Sequence, residues 1–148
     1  MTKTGIDLKV VADRADLVRR SLEDLRALPS ASLSEFLLDR RNAPAAESLM
    51  RRAIEALFDT ARHLMAKGFG VGKLEYRELA RLASEKGLVQ DPELGQRFVR
   101  IGGFRNRLVH HYEEVTPEEL HRIVSGHLGD LEGLSSELQR AAERLAKE

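Results

Sequence analysis

The stretch Phe98-Val-Arg-Ile-Gly-Gly-Phe-Arg-Asn-Arg-Leu-Val-His-His-Tyr112 concentrates residue types able to act on a phosphodiester. Arg105 offers a permanent cation with a bidentate fork, and His110 an acid–base group that works near neutrality. Asn106 can orient the histidine or hydrogen-bond a phosphate oxygen. Together they suit RNA cleavage without a metal. One group must take the 2′-OH proton and later protonate the departing 5′ oxygen, while a cation stabilises the crowded phosphate. A magnesium-dependent nuclease needs clustered carboxylates instead. The segment from Leu94 to Tyr112 holds four arginines, two histidines and no acid.

Read as a helix, this segment has an apolar face of Phe98, Ile101, Phe104, Leu108 and Val109. Arg105 lies four residues from both Ile101 and Val109, so it points toward that face. A guanidinium there is costly unless its charge has a partner, either a carboxylate of another helix or an anionic ligand. His110 shares a face with Asn106. On a regular helix it is rotated from Arg105 by about 140° and displaced by roughly 7.5 Å. The two converge only if the helix is distorted near Gly102-Gly103 or after Leu108, or if a second chain completes the site. Either route predicts a site at an interface.

The elements that carry these residues read as helices throughout. Leu8, Val11, Ala15, Val18, Leu22 and Leu25 form a heptad seam that ends at Pro29. Ser32 with Glu35 has capping-box spacing and opens a short helix through Leu38. A long helix is expected from Pro44, with Met50, Ile54, Leu57, Ala61 and Leu64 inward, ending at the glycines after Lys67. A shorter one carries Tyr76, Leu79, Leu82 and Ala83 and stops at Gly87. Asp91-Pro92 starts the basic helix. Thr116-Pro-Glu-Glu119 starts a last one, with Leu120, Val124, His127, Leu131, Leu134, Leu138, Ala141 and Leu145 along one seam. The prediction is an all-α, up-and-down bundle of four to five helices in a single domain, residues 1–148.

Composition bounds the function. Lys plus Arg and Asp plus Glu both number 24, so the net charge is zero and a general nucleic-acid coat is excluded. The absence of cysteine removes disulfides, zinc knuckles and thiol nucleophiles. No apolar run reaches the roughly 18 residues of a membrane span. A cytoplasmic protein is expected. From Glu113 onward nine acids face four bases, so the basic segment reads as a local anion site.

Within this context, Arg105-Asn106-x3-His110-x-Tyr112 resembles the HEPN signature in its HepT-like form. Glu35-Phe-Leu-Leu-Asp-Arg40 and Ala53-Ile-Glu-Ala-Leu-Phe-Asp-Thr-Ala-Arg-His63 agree with that family, and the resemblance spans about residues 6 to 140. It implies an all-helical homodimer acting as a metal-independent ribonuclease toxin, with Arg105 and His110 catalytic in a composite cleft and Asn106 supporting them. It implies no cofactor. It also implies a minimal nucleotidyltransferase (MntA-like) antitoxin that transfers AMP to Tyr112. A phosphate there would compete with RNA for Arg105. The alternative from another class is a non-catalytic helical module that binds the nucleotidyltransferase.

Weaker patterns point elsewhere. Glu55, Asp59 and His63 at steps of four offer metal-ligand spacing on one helix, but no matching ligands on a second helix are evident. An exposed or interhelical polar strip is the expected role. His127 is expected as a partly buried structural residue, and Phe69 and Tyr76 as packing residues.

Overall fold

In a computed structural model the protein is an all-α bundle, and the structure describes residues 5–110 and 114–148. Among the described residues seven helices follow in order: α1 (Leu8–Ala27), α2 (Leu33–Leu38), α3 (Asn42–Phe69), α4 (Tyr76–Glu85), α5 (Pro92–Val109), α6 (Pro117–Gly126) and α7 (Leu128–Ala146). There is no strand among the described residues. Nor is any described helix long and apolar enough to cross a membrane.

Local chemistry sets most helix starts. Ser32 Oγ accepts the Glu35 N–H at 3.1 Å, and Thr116 Oγ1 accepts the Glu119 N–H at 3.2 Å. Asp91 accepts from Glu93 and Leu94 ahead of Pro92, whose missing N–H costs nothing in a first turn. Asn42 rather than Pro44 begins α3, and its side chain donates to the Phe36 carbonyl at 3.0 Å, tying α2 to α3. Gly70 closes α3 in the left-handed region at φ 66°.

Helix α3 is the centre, in contact with every other helix. Ala53, Ile54, Ala56, Leu57, Phe58, Ala61, Leu64 and Met65 are all buried, which wraps apolar surface around most of its circumference. Phe58 stacks on Phe98 of α5 at 4.5 Å between ring centroids and meets the edge of Tyr76 at 4.8 Å.

The expected last helix is two. It breaks at His127, between Gly126 and Gly129, where the chain has φ −125° and ψ 5°. Glycine weakens a helix by roughly 1 kcal/mol per residue against alanine, so a register change is cheapest here. Leu128 rather than His127 then points inward, and the His127 side chain is 58% exposed. The expectation of a partly buried structural histidine is corrected accordingly. Leu120, Val124, Leu131, Leu134, Leu138, Ala141 and Leu145 are buried as the seam requires.

Candidate functional site

Helix α5 is held at both ends. The buried Glu137 of α7 accepts the backbone N–H groups of Gln90 and Asp91, both at 3.1 Å, just before α5 begins. At the other end Arg107 donates to Glu119 of α6 at 2.6 and 2.9 Å and to the Glu114 carbonyl at 3.1 Å. Between them, α5 lies close against α4 because Gly102 has no side chain. A Cβ there would sit 3.2 Å from the Tyr76 carbonyl carbon and 3.3 Å from both the Arg77 nitrogen and Phe58 Cζ.

That close approach places Tyr76 under Arg105, one turn beyond Gly102. The Arg105 Cζ lies 4.2 Å from the Tyr76 ring centroid, within cation–π range. Arg105 Nη2 donates to Glu55 Oε1 of α3 at 3.3 Å, longer than the 2.7–2.9 Å of a strong charged hydrogen bond. Arg105 Nε is buried with no hydrogen-bond partner among the described residues, and its side chain is 20% exposed. The inward direction read from spacing is therefore observed, and a carboxylate of another helix does face the arginine. The pairing is a single long contact, which leaves the guanidinium incompletely satisfied.

Asn106 is half-buried, and its backbone carbonyl accepts the His110 N–H at 3.1 Å, the last helical bond of α5. His110 itself is exposed and extended, at φ −96° and ψ 116°. Of the two distortions the sequence allowed, the one after Leu108 occurs, because the helix ends at Val109. Gly102 and Gly103 continue it without interruption. Regular-helix geometry thus does not govern His110. Tyr112, with His111, lies outside the described residues.

The basic segment carries less free charge than its composition suggests. Arg97 pairs with Asp130 at 2.6 Å and with Glu93, and Arg107 is committed to Glu119. Arg100 lines an open groove of about 640 Å³ with Met50, Ile54, Ile101, Phe104 and Ile123. On α5 these groove residues immediately precede Arg105.

The steps of four on α3 do not converge on one ligand. Glu55 faces Arg105, Asp59 lies 3.5 Å from Arg14, and His63 Nε2 accepts the Asp7 N–H at 2.9 Å. Of the exposed and interhelical polar strips expected of them, the interhelical one is observed. Among the described residues no group of three or more potential metal ligands comes together. Sequence spacing marks Tyr76 only as a packing residue and does not link Glu55 to Arg105. The Gly102-Gly103 pair was the available signal, since adjacent glycines inside a helix mark a close approach.

A set of solved structures shares this architecture. The tri-AMPylated HEPN toxin of Shewanella oneidensis, in complex with an MNT antitoxin, superposes with a TM-score of 0.78 at 21% identity, over 88% of this chain and 97% of that one. A toxin–antitoxin complex with AMP-PNP gives a TM-score of 0.75 at 20% identity, over 87% and 97%. The fold is the all-α HEPN fold.

The family model described as "Ribonuclease HepT-like" matches residues 18–138, and the chain belongs to this HepT-like family. The curated tRNA nuclease HepT of Aphanizomenon flos-aquae (strain 2012/KM1/D3) is 27% identical over 122 residues, covering 82% of each chain.

Proposed function

We propose that this chain is a metal-independent endoribonuclease toxin of a toxin–antitoxin pair, acting in the cytoplasm as one domain over residues 1–148. The observation that carries the reading is the half-buried, incompletely paired Arg105 one turn before an exposed, non-helical His110, in a HepT-like chain. Arg105 holds the scissile phosphate and offsets charge that grows on its oxygens. His110 removes the 2′-OH proton and protonates the 5′ oxygen as the P–O bond breaks. Asn106 orients the histidine or a phosphate oxygen. Two copies of the chain form the cleft, because one α5 carries only one set of these groups.

The partner is a minimal nucleotidyltransferase antitoxin. It silences the toxin by transferring AMP from ATP to the Tyr112 hydroxyl, with pyrophosphate leaving. The added phosphate competes with RNA for Arg105. The AMP-bearing toxin and AMP-PNP complex among the structural relatives support this reading.

Cleavage of total RNA and tRNA in excess EDTA tests the activity, with intact mass first establishing unmodified protein. Cleavage that persists in chelator and disappears in both Arg105→Ala and His110→Ala is the expected result. A dimeric, unmodified wild type that cleaves no RNA selects the non-catalytic binding module instead, and a His110→Gln variant that cleaves as well as wild type removes His110 from the chemistry. For the regulation, antitoxin with ATP adds AMP to wild type and not to Tyr112→Phe. If Tyr112→Phe is silenced as completely as wild type, Tyr112 is not the acceptor.

A further inference from the structure

We infer that Tyr76 is a positioning residue for Arg105, its ring forming a platform that fixes the guanidinium where the phosphate must bind. The inference rests on the ribonuclease reading and adds a residue from α4, outside the basic segment.

The guanidinium needs such a platform because its other restraints are weak. Glu55 touches it once, at 3.3 Å, and the Glu55 side chain is 41% exposed, which screens the attraction. Nε has no hydrogen-bond partner among the described residues. The Tyr76 ring lies beneath the guanidinium, its centroid 4.2 Å from the Arg105 Cζ.

Tyr76 is itself held from several sides. Phe58 presents its ring at 85° to it, at 4.8 Å. Arg62 lies 5.0 Å from its centroid and also donates to the Leu74 carbonyl at 3.3 Å, fixing the chain two residues before Tyr76. Gly102 packs against the Tyr76 backbone. A ring in this socket cannot follow a wandering side chain, so it selects one position for Arg105. Two guanidiniums share the ring, and among the described residues Glu55 is the only carboxylate paired with either. The negative face of the ring is what makes that crowding of like charge tolerable while leaving positive charge for a phosphate.

The ring carries this role and the hydroxyl does not, which makes the test selective. Kinetics in EDTA with a defined RNA substrate should show Tyr76→Leu lowering kcat by about tenfold with KM changed less than about threefold, the pattern of a misplaced transition-state contact. Tyr76→Phe, which keeps the face, should return kcat to within about threefold of wild type. Tyr76→Leu as active as wild type, or Tyr76→Phe as impaired as Tyr76→Leu, overturns the inference.

A second measurement needs neither activity nor a folded leucine variant. The Arg105 Nε–H resonance, assigned with Arg105→Lys, should be displaced by the ring current in wild type and in Tyr76→Phe, relative to the exposed Arg100. An undisplaced resonance overturns the inference. A displaced one in a protein that cleaves no RNA supports the platform while removing the ribonuclease reading.

Discussion

Arg107, in the last turn of α5, and Glu119, in the first turn of α6, are joined by two hydrogen bonds of 2.6 and 2.9 Å. Each charge also complements its own helix: a cation belongs near a C-terminus and an anion near an N-terminus. The pair clasps the two stretches of chain that flank residues 111–113, which begin four positions beyond Arg107. With side chains 35% and 21% exposed, the attraction is only partly screened. A double-mutant cycle with Arg107→Ala and Glu119→Ala should give a coupling energy of about 0.5–1 kcal/mol by urea unfolding, reduced in high salt. Additive single mutants would show that the clasp contributes nothing.

Gly102 fixes how near α4 comes to α5. Alanine is the better helix former by about 1 kcal/mol, so propensity alone favours Gly102→Ala. Its methyl group would meet backbone atoms of Tyr76 and Arg77 at 3.2 and 3.3 Å, and backbone cannot step aside as a side-chain tip does. Net destabilisation of about 1–2 kcal/mol is expected. Gly129→Ala, with nothing within 4 Å of the added carbon, should be neutral or mildly stabilising. Thermal unfolding of both variants checks the contrast.

The legible part of this molecule was the local part. Ser32, Asp91 and Thr116 cap their helices through atoms two or three residues away, and Pro92 and Pro117 sit where the first turn accepts them, so sequence spacing contained the answer. The inward direction of Arg105 was equally local, a matter of helical angle. Its partners were not. Glu55 and Tyr76 stand 50 and 29 positions away on other helices, and which of α3's polar residues meets α5 depends on packing register. The break at His127 was hidden because the apolar seam runs on through it, while Gly126 and Gly129 allow Leu128 to replace the histidine inside. The assignment to Tyr112 falls outside the described residues.

Glu137 is a buried carboxylate serving two backbone donors, Gln90 and Asp91, at the entry to α5. Removing it leaves two N–H groups short of acceptors, each costing about 1–3 kcal/mol when desolvated. Glu137→Ala should therefore destabilise by at least about 2 kcal/mol, and Glu137→Gln by less, since one carbonyl oxygen remains. Hydrogen exchange at Gln90 and Asp91 should accelerate in the alanine variant. Unchanged exchange would show that the carboxylate does not hold this turn.

His63 links pH to the start of α1. Its Nε2 accepts the Asp7 N–H at 2.9 Å, which requires an unprotonated Nε2. Burial lowers its pKa below the ordinary 6.5, with Lys67 adding to the effect and Asp7 opposing it. The unfolded chain then binds the proton more readily than the folded one, so the contribution to stability is complete above about pH 6.5 and falls as pH drops through the lowered folded value. Protonation also turns the acceptor into a donor aimed at another donor. Wild type should lose more stability between pH 7.5 and 5.5 than His63→Gln, whose amide oxygen accepts at every pH. The other four histidines contribute equally to both proteins and cancel in the comparison. Paired urea titrations at the two pH values measure the difference; equal losses would show that His63 is not the group responsible.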